Sequence, residues 1–342
     1  MKKEEKIVVG VIGLGMGKGH LKGAIACGAE VGKICDPRED WMASVAKEFN
    51  IDESKCCTDY KEVLADPNIN TVIIATPDQL HKNMCEEAVA AGKHVMCEKP
   101  LALTRADVEA IVAAANKSEK KFMVGQICRF TPGFLKAKEI IDSGVIGEVY
   151  FVESEYAHDY VKMFTKPGNW RADPDRNGVV GGGCHAVDLV RWYLGDPCEV
   201  FAYGTHKALE NVPYDDANIA IMKFPNGAMG KVFVSTGCKR DYTMRTVIYG
   251  TKGTVICDNT SPYIQLFKLE GEELTVAKHP EQIRVNINNH NAQGEFEVFS
   301  KHILEDTPVK MDAVQGAKTV EVCFAIIEST KTGKPVVPNY NF

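Results

Sequence analysis

A regular alternation over residues 7–125 constrains this chain most. Short, almost wholly apolar runs, IVVGVIG (7–13), VGKICD (31–36), TVIIAT (71–76), HVMCE (94–98) and FMVG (122–125), are separated by helically spaced stretches at 17–28, 38–49, 78–92 and 104–117. Strands that are apolar on both faces must be covered on both faces, and a helix between each pair supplies that cover. The alternation predicts a parallel sheet with helices on either side. LADPNI (64–69) reads as a turn. After about residue 128 the texture changes. A helix at 131–144 leads into the strand VYFVESEY (149–156), several strands follow over 199–278, and helical spacing returns at 290–305 and 312–331. Turn sequences such as FPNGAM (224–229) and YGTKGT (249–254) separate those strands. Strands in succession with flanking helices predict an α+β domain on a large, mostly antiparallel sheet.

The first strand runs into VIGLGMGKGHL (11–21), which places Gly13, Leu14, Gly15, Met16 and Gly17 at a strand–helix turn. A pyrophosphate can approach backbone N–H groups at a helix N-terminus only where side chains are absent. Asp36 ends the second strand 21 residues after Gly15, where a carboxylate accepts the hydroxyls of an adenosine ribose. The third glycine is at 17, and Lys18 occupies the regular slot. The expected division is a Rossmann dinucleotide-binding domain over 1–127 and an α+β substrate-binding and oligomerisation domain over 128–342. Asp36 argues for NAD, because a carboxylate repels a 2′-phosphate; Arg38 keeps NADP open as the alternative.

Composition narrows the partners. With 342 residues, 45% hydrophobic and 25% charged, the chain has material for about two cores. A net charge of −6 without a basic run argues against nucleic acid. No apolar run approaches the roughly 20 residues that span a bilayer, and MKKEEKIVVGVIGLG argues against a signal peptide. Twelve scattered cysteines without metal spacing read as reduced thiols in a cytoplasmic setting, and no metal site is expected.

ATPDQLHKNMCEEAVAAGKHVMCEKPLALT (75–104), with Glu98-Lys99-Pro100 ending the fifth strand, resembles the Gfo/Idh/MocA family, which includes glucose–fructose oxidoreductase and inositol dehydrogenases. IYGTKGTV (248–255) and TKTGKPVVP (330–338) resemble its second domain. The resemblance implies that Lys99 holds the reacting hydroxyl, that a cis bond precedes Pro100, and that Thr76, Pro77, His81 and Glu98 line the cofactor. It implies that Gln126 touches the cofactor ribose and Arg129 the substrate, and that Trp170 and Arg171 close over the two. It also implies a homodimer or homotetramer. The strand-end placement of Lys99 agrees, since ligands of open α/β sheets bind beyond the carboxyl ends of the strands.

The family's second domain carries Asp-x-x-x-His before a helix, the His acting as general base. In NGVVGGGCHAVDLVRWYLGD (177–196) His185 matches that histidine, while Gly181 stands at the place of the carboxylate. Asp188, one helical turn on, is a candidate replacement or else a helix-surface charge. The glycines read as room for a substrate larger than a simple cyclic polyol. Tyr156 and Tyr160, in the long segment 154–178, are candidates for sugar hydroxyls. The expected activity is NAD-dependent oxidation of a sugar, glycoside or cyclitol secondary alcohol. Two alternatives stay open: redox-neutral conversion through a transient ketone, and a regulator that binds dinucleotide without chemistry.

Overall fold

In the computed structural model, which describes residues 6–164, 169–210, 212–270, 275–276 and 279–342, the alternating part of the chain forms one parallel sheet. Its elements are β1 (Val8–Ile12), α1 (Gly17–Ala26), β2 (Glu30–Cys35), α2 (Glu39–Phe49), β3 (Cys56–Cys57), α3 (Tyr60–Ala65), β4 (Thr71–Ile74), α4 (His81–Ala90), β5 (His94–Glu98), α5 (Arg105–Asn116) and β6 (Phe122–Gly125). The strand order is β3-β2-β1-β4-β5-β6, every pairing parallel. All residues of β4 and β5 are buried, as their unbroken apolar runs require. This order reverses between β1 and β4, the switch point of a Rossmann fold. The stretch read as a turn at 64–69 takes in the last two residues of α3, which ends at Ala65, and then turns; the N-terminus of α3 is capped by the Asp59 carboxylate, which accepts the Lys61 N–H.

The remainder of the chain carries α6 (Pro132–Asp142), β7 (Val149–Ala157), α7 (Val161–Phe164), α8 (Cys184–Leu194), β8 (Glu199–Thr205), β9 (Ala217–Lys223), β10 (Met229–Ser235), β11 (Thr243–Gly250), β12 (Gly253–Asp258), β13 (Tyr263–Glu270), β14 (Thr275–Val276), β15 (Glu281–Arg284), α9 (Ala292–Leu304) and α10 (Ala313–Thr332). Nine strands make the second sheet, ordered β14-β13-β12-β11-β7-β10-β9-β8 with β15 on β13. Among the described residues only β7 and β10 of this sheet pair in parallel; its other pairings are antiparallel. The strand stretch read over 199–278 includes residues 271–274 and 277–278, which lie outside the described residues, as do 165–168 of the segment 154–178.

Two compact units result: Met1–Ile127 with Asn291–Ala317 and Phe342, and Cys128–His290 with Lys318–Asn341. The sequence division placed all of 128–342 in the second domain, and the structure returns 291–317 to the first. Close packing is the reason. A Cβ on Gly23 of α1 would lie 2.8 Å from the Ala292 carbonyl, so glycine lets α9 approach at backbone distance. The Val124 N–H of β6 donates to the Met311 carbonyl at 2.8 Å. Among the described residues no helix is long and apolar enough to cross a membrane.

Candidate active site

Each glycine of the β1–α1 turn has its own physical reason. Gly13 has φ +86°, in the left-handed region, and its would-be Cβ lies 2.6 Å from the Ala75 carbonyl oxygen. A Cβ on Gly17 would lie 3.1 Å from Val11 and 3.3 Å from Ala75, which keeps α1 tight on the sheet. A Cβ on Gly15 would meet nothing within 4 Å, so this residue leaves open space rather than allowing internal packing. α1 begins there with Met16 at its N-cap giving no side-chain hydrogen bond, so its first N–H groups face that opening. The arrangement fits a pyrophosphate.

Asp36 follows β2 and is 2% exposed. Its Oδ2 accepts the Leu14 N–H at 2.8 Å, and Arg38 grips both oxygens through Nε and Nη2, each at 2.8 Å. Burial opposes ionisation, but the Arg38 bonds and the backbone donors outweigh it and hold the carboxyl below its usual range. Leu14 is buried, and its carbonyl accepts the Trp41 indole N–H at 2.9 Å. Asp36 thus closes the glycine turn and carries an exposed guanidinium beside it.

At the ends of β4 and β5 the structure brings together Thr76, Pro77, His81, Glu98 and Lys99. The His81 ring is fully buried, with Nδ1 2.9 Å from the Pro100 carbonyl and Nε2 3.2 Å from the Thr76 carbonyl. Two carbonyls facing both nitrogens require two N–H groups. Burial opposes a charged ring, but Cys97, Asp78 and the Pro100 carbonyl together raise it above its usual range. His81 therefore ties the loop after β4 to the Lys99-Pro100 peptide, which is cis. Thr76 Oγ1 donates to the Met84 sulfur at 3.5 Å. Glu98 Oε2 accepts the Lys99 N–H at 3.0 Å. Gln126, beyond β6, is 2% exposed and its side-chain oxygen makes no hydrogen bond.

In the second unit the three glycines form a buried π-helical turn, Val179–Gly183, that runs directly into α8. They do not leave room. A Cβ on Gly181 would overlap the Arg176 guanidinium, one on Gly182 would lie 2.5 Å from the Tyr156 ring, and one on Gly183 would lie 2.5 Å from Val234. The expectation of space for a larger substrate is thereby corrected: the volume is filled by neighbours that seat α8 against β7 and β10.

His185 lies in the first turn of α8 and is 3% exposed. Its Nδ1 is 3.1 Å from the Cys128 sulfur, and its ring stacks on Tyr156 at 6.0 Å and His290 at 6.4 Å between centroids. Tyr156 Oη is 2.9 Å from Tyr160 Oη and 3.2 Å from His158 Nδ1. Tyr242 sits against Tyr156 at 5.6 Å and His158 at 4.7 Å. Trp170 has the Arg171 and Arg176 guanidinium carbons 4.2 and 4.9 Å from its ring centroid. Cys128, Arg176, Tyr242 and His290 are the members the sequence reading missed. Only Cys128 had a usable signal, its place beside Arg129 at the change of architecture.

Arg129 and Asp188 come together with each other. Arg129 donates from Nε and Nη2 to the two Asp188 oxygens at 2.8 and 2.7 Å, and Thr319 Oγ1 donates to Asp188 at 3.0 Å. Asp188 is 1% exposed. Its carboxylate is neither a helix-surface charge nor the partner facing His185 Nδ1, a place taken by Cys128. Arg129, proposed for substrate, is engaged by this ion pair and lies 5.7 Å from the Trp192 ring centroid. Among the described residues no group of three or more His, Cys, Asp or Glu is arranged to hold a metal ion.

Comparison with known proteins agrees with the geometry. A profile described as an oxidoreductase family with an NAD-binding Rossmann fold matches residues 7–126, and the GFO/IDH/MocA C-terminal domain matches 134–256. An uncharacterized oxidoreductase, YrbE, of Bacillus subtilis is 29% identical over 267 residues, 75% of each chain. Myo-inositol 2-dehydrogenase of Thermotoga maritima is 29% identical over 73% of this chain and 75% of that one. A solved structure of levoglucosan dehydrogenase in complex with NADH has a TM-score of 0.90 at 24% identity, covering 98% of this chain and 100% of the other. The chain belongs to the Gfo/Idh/MocA family of oxidoreductases, with an NAD-binding Rossmann fold ahead of that family's C-terminal domain.

Proposed function

We propose that the protein oxidises a secondary alcohol of a sugar, glycoside or cyclitol with NAD as the preferred cofactor. The observation that carries the reading is the Gly13–Gly15–Gly17 turn, open at Gly15 and backed by a buried, ionised Asp36. Gly15, Met16, Gly17 and Asp36 would hold the dinucleotide, with Thr76, Pro77, Glu98 and Gln126 toward its nicotinamide half. When bound, it supplies the hydride acceptor. Lys99 stabilises the alcohol oxygen as it becomes a carbonyl, and His185 takes the hydroxyl proton. The Cys128 thiol fixes the His185 ring through Nδ1. Tyr156, Tyr160, Trp170 and Arg171 are proposed as contacts to substrate or cofactor, with Tyr156 stacked on that ring.

Relatives support the substrate class: an inositol dehydrogenase and a levoglucosan dehydrogenase match over 73% and 65% of this chain. The open face of the second sheet supports self-association, because Ile219, Ile221 and Met229 are exposed on β9 and β10. We place the protein in the cytoplasm on its scattered thiols. The test is a panel of sugars, glycosides and cyclitols followed by NADH absorbance and product analysis. One substrate should give NADH, and Lys99→Ala should lower its rate by about 10²–10³-fold, the loss expected of an oxyanion stabiliser, with NADH affinity within about threefold. A Lys99→Ala enzyme with unchanged turnover refutes the assignment.

A further inference from the structure

Beneath the carboxyl end of β5, three ionisable side chains are buried together: Glu98, His20 from α1 and Glu295 from α9, which are 7%, 1% and 0% exposed. His20 Nε2 lies 2.6 Å from Glu98 Oε1, while the other Glu98 oxygen accepts the Lys99 N–H at 3.0 Å. On its far side His20 Nδ1 is 3.7 Å from Glu295 Oε2, too long for a hydrogen bond. Neither His20 Nδ1 nor either Glu295 oxygen has a hydrogen-bond partner. Ionised, Glu295 would be a buried charge without hydrogen bonds, so it keeps its proton. Burial pushes it up to about 8. Glu98 is the opposite case: burial opposes its charge, but the His20 bond and charge outweigh that and bring it to about 2.

The groups facing Glu295 are few. α1 presents His20, and β5 presents Glu98 with Lys99 next to it; β6 presents Gly125, which carries no titratable group and whose Cβ would lie 3.7 Å from Glu295 Oε1. The site holds one carboxylate, one imidazole that Glu98 raises above its usual range against the effect of burial, and one protonated acid, beside the strand end where the proposed cofactor is read.

We propose that Glu295 is a proton store answering the charge of the bound cofactor: protonated beside the uncharged dihydronicotinamide ring of NADH, and ionised when the positively charged ring of NAD⁺ is present. This rests on the proposed NAD-dependent oxidation. In the step the Glu295 O–H bond breaks and the proton leaves to solvent. The new carboxylate then accepts the His20 Nδ1–H by closing the gap to about 2.7–2.9 Å, and no electrons move.

The test counts protons by titration calorimetry at pH 7.5 in buffers of different ionisation enthalpy. If NAD⁺ lowers the Glu295 pKa by about one unit, wild type should release about half a proton on binding NAD⁺ and none on binding NADH. Glu295→Gln should bind both and release none. Equal proton counts in the two proteins overturn the coupling alone; failure of wild type to bind NAD⁺ overturns the functional reading with it. Infrared spectra of the wild-type protein without cofactor give a second measurement. A protonated-carboxyl stretch should vanish between about pH 7 and 9, and its absence at pH 7 overturns the store.

Discussion

Gly13 and Gly15 sit two residues apart in one turn, and their alanine variants should fail in opposite ways. At Gly13 the φ of +86° would cost alanine about 1–2 kcal/mol. The new Cβ would also lie 2.6 Å from the Ala75 carbonyl oxygen, about 0.7 Å inside ordinary C–H···O contact. That obstacle is backbone just past the end of β4, so the chain there must shift, at about 1–3 kcal/mol more. Gly13→Ala should therefore lose about 2–5 kcal/mol. At Gly15 nothing lies within 4 Å of the Cβ, so Gly15→Ala should stay within about 0.5 kcal/mol of wild type. Its methyl group stands where the pyrophosphate must come against backbone, and NADH affinity should fall at least about tenfold, or 1.4 kcal/mol. Urea unfolding followed by circular dichroism and NADH fluorescence titration separate the two quantities. A Gly15→Ala protein that binds NADH like wild type refutes the assignment of the turn, and a Gly13→Ala protein of unchanged stability refutes the packing argument.

Gly181→Ala should destabilise by about 1–3 kcal/mol, because its Cβ meets the Arg176 guanidinium; in an Arg176→Ala background the loss should largely disappear, and additive losses would show that the two do not touch. Asp188→Asn should lose about 3–5 kcal/mol by stranding Arg129, more than a joint Arg129→Met/Asp188→Leu replacement, as chemical denaturation of all three would reveal. Asp36→Ala removes the carboxylate beside the 60%-exposed Arg38 side chain and should raise the ratio of NADP to NAD affinity at least about tenfold; an unchanged ratio places the ribose elsewhere. Folded Glu295 keeps its proton up to about pH 8, whereas the unfolded group loses it near 4.5, so stability falls as pH rises across that window, by up to about 1.4 kcal/mol per unit. Glu295→Gln lacks that slope and should gain on wild type from about pH 5 to 8; parallel curves refute it.

The parallel sheet was legible because each strand is apolar on both faces, a pattern that only double cover explains. β3 and α3 were not legible: two and six residues are too short to show a period. Nor was the transfer of 291–317 to the first unit, because the ties that hold it there, the close approach at Gly23 and the Val124–Met311 hydrogen bond, join residues far apart in sequence. The strand–helix turn at Gly13 and Gly15 and the strand-end place of Asp36 were readable from local spacing, whereas His185 was singled out by its match to the family motif. The partners of His185 were not, since Cys128, Tyr156 and His290 reach it from three separate stretches. The glycines before His185 misled for a physical reason. A missing side chain looks the same in sequence whether the space is open, as at Gly15, or filled by a neighbour, as at Gly182.

Two buried carboxyl groups, Asp188 in the second unit and Glu295 in the first, are treated differently. In the second unit Asp188 accepts three hydrogen bonds, two from a guanidinium whose planar fork matches its oxygens. Such a group is satisfied, and its removal should be felt as lost stability in α8. In the first unit Glu295 is more deeply buried, yet both its oxygens lack partners. Unsatisfied buried polar groups are few in native folds, and leucine or glutamine would avoid this one's cost. The proposed proton store gives a reason for keeping a carboxyl in that state. It makes sense when a second protonation state, in which His20 becomes its partner, is part of what the protein does.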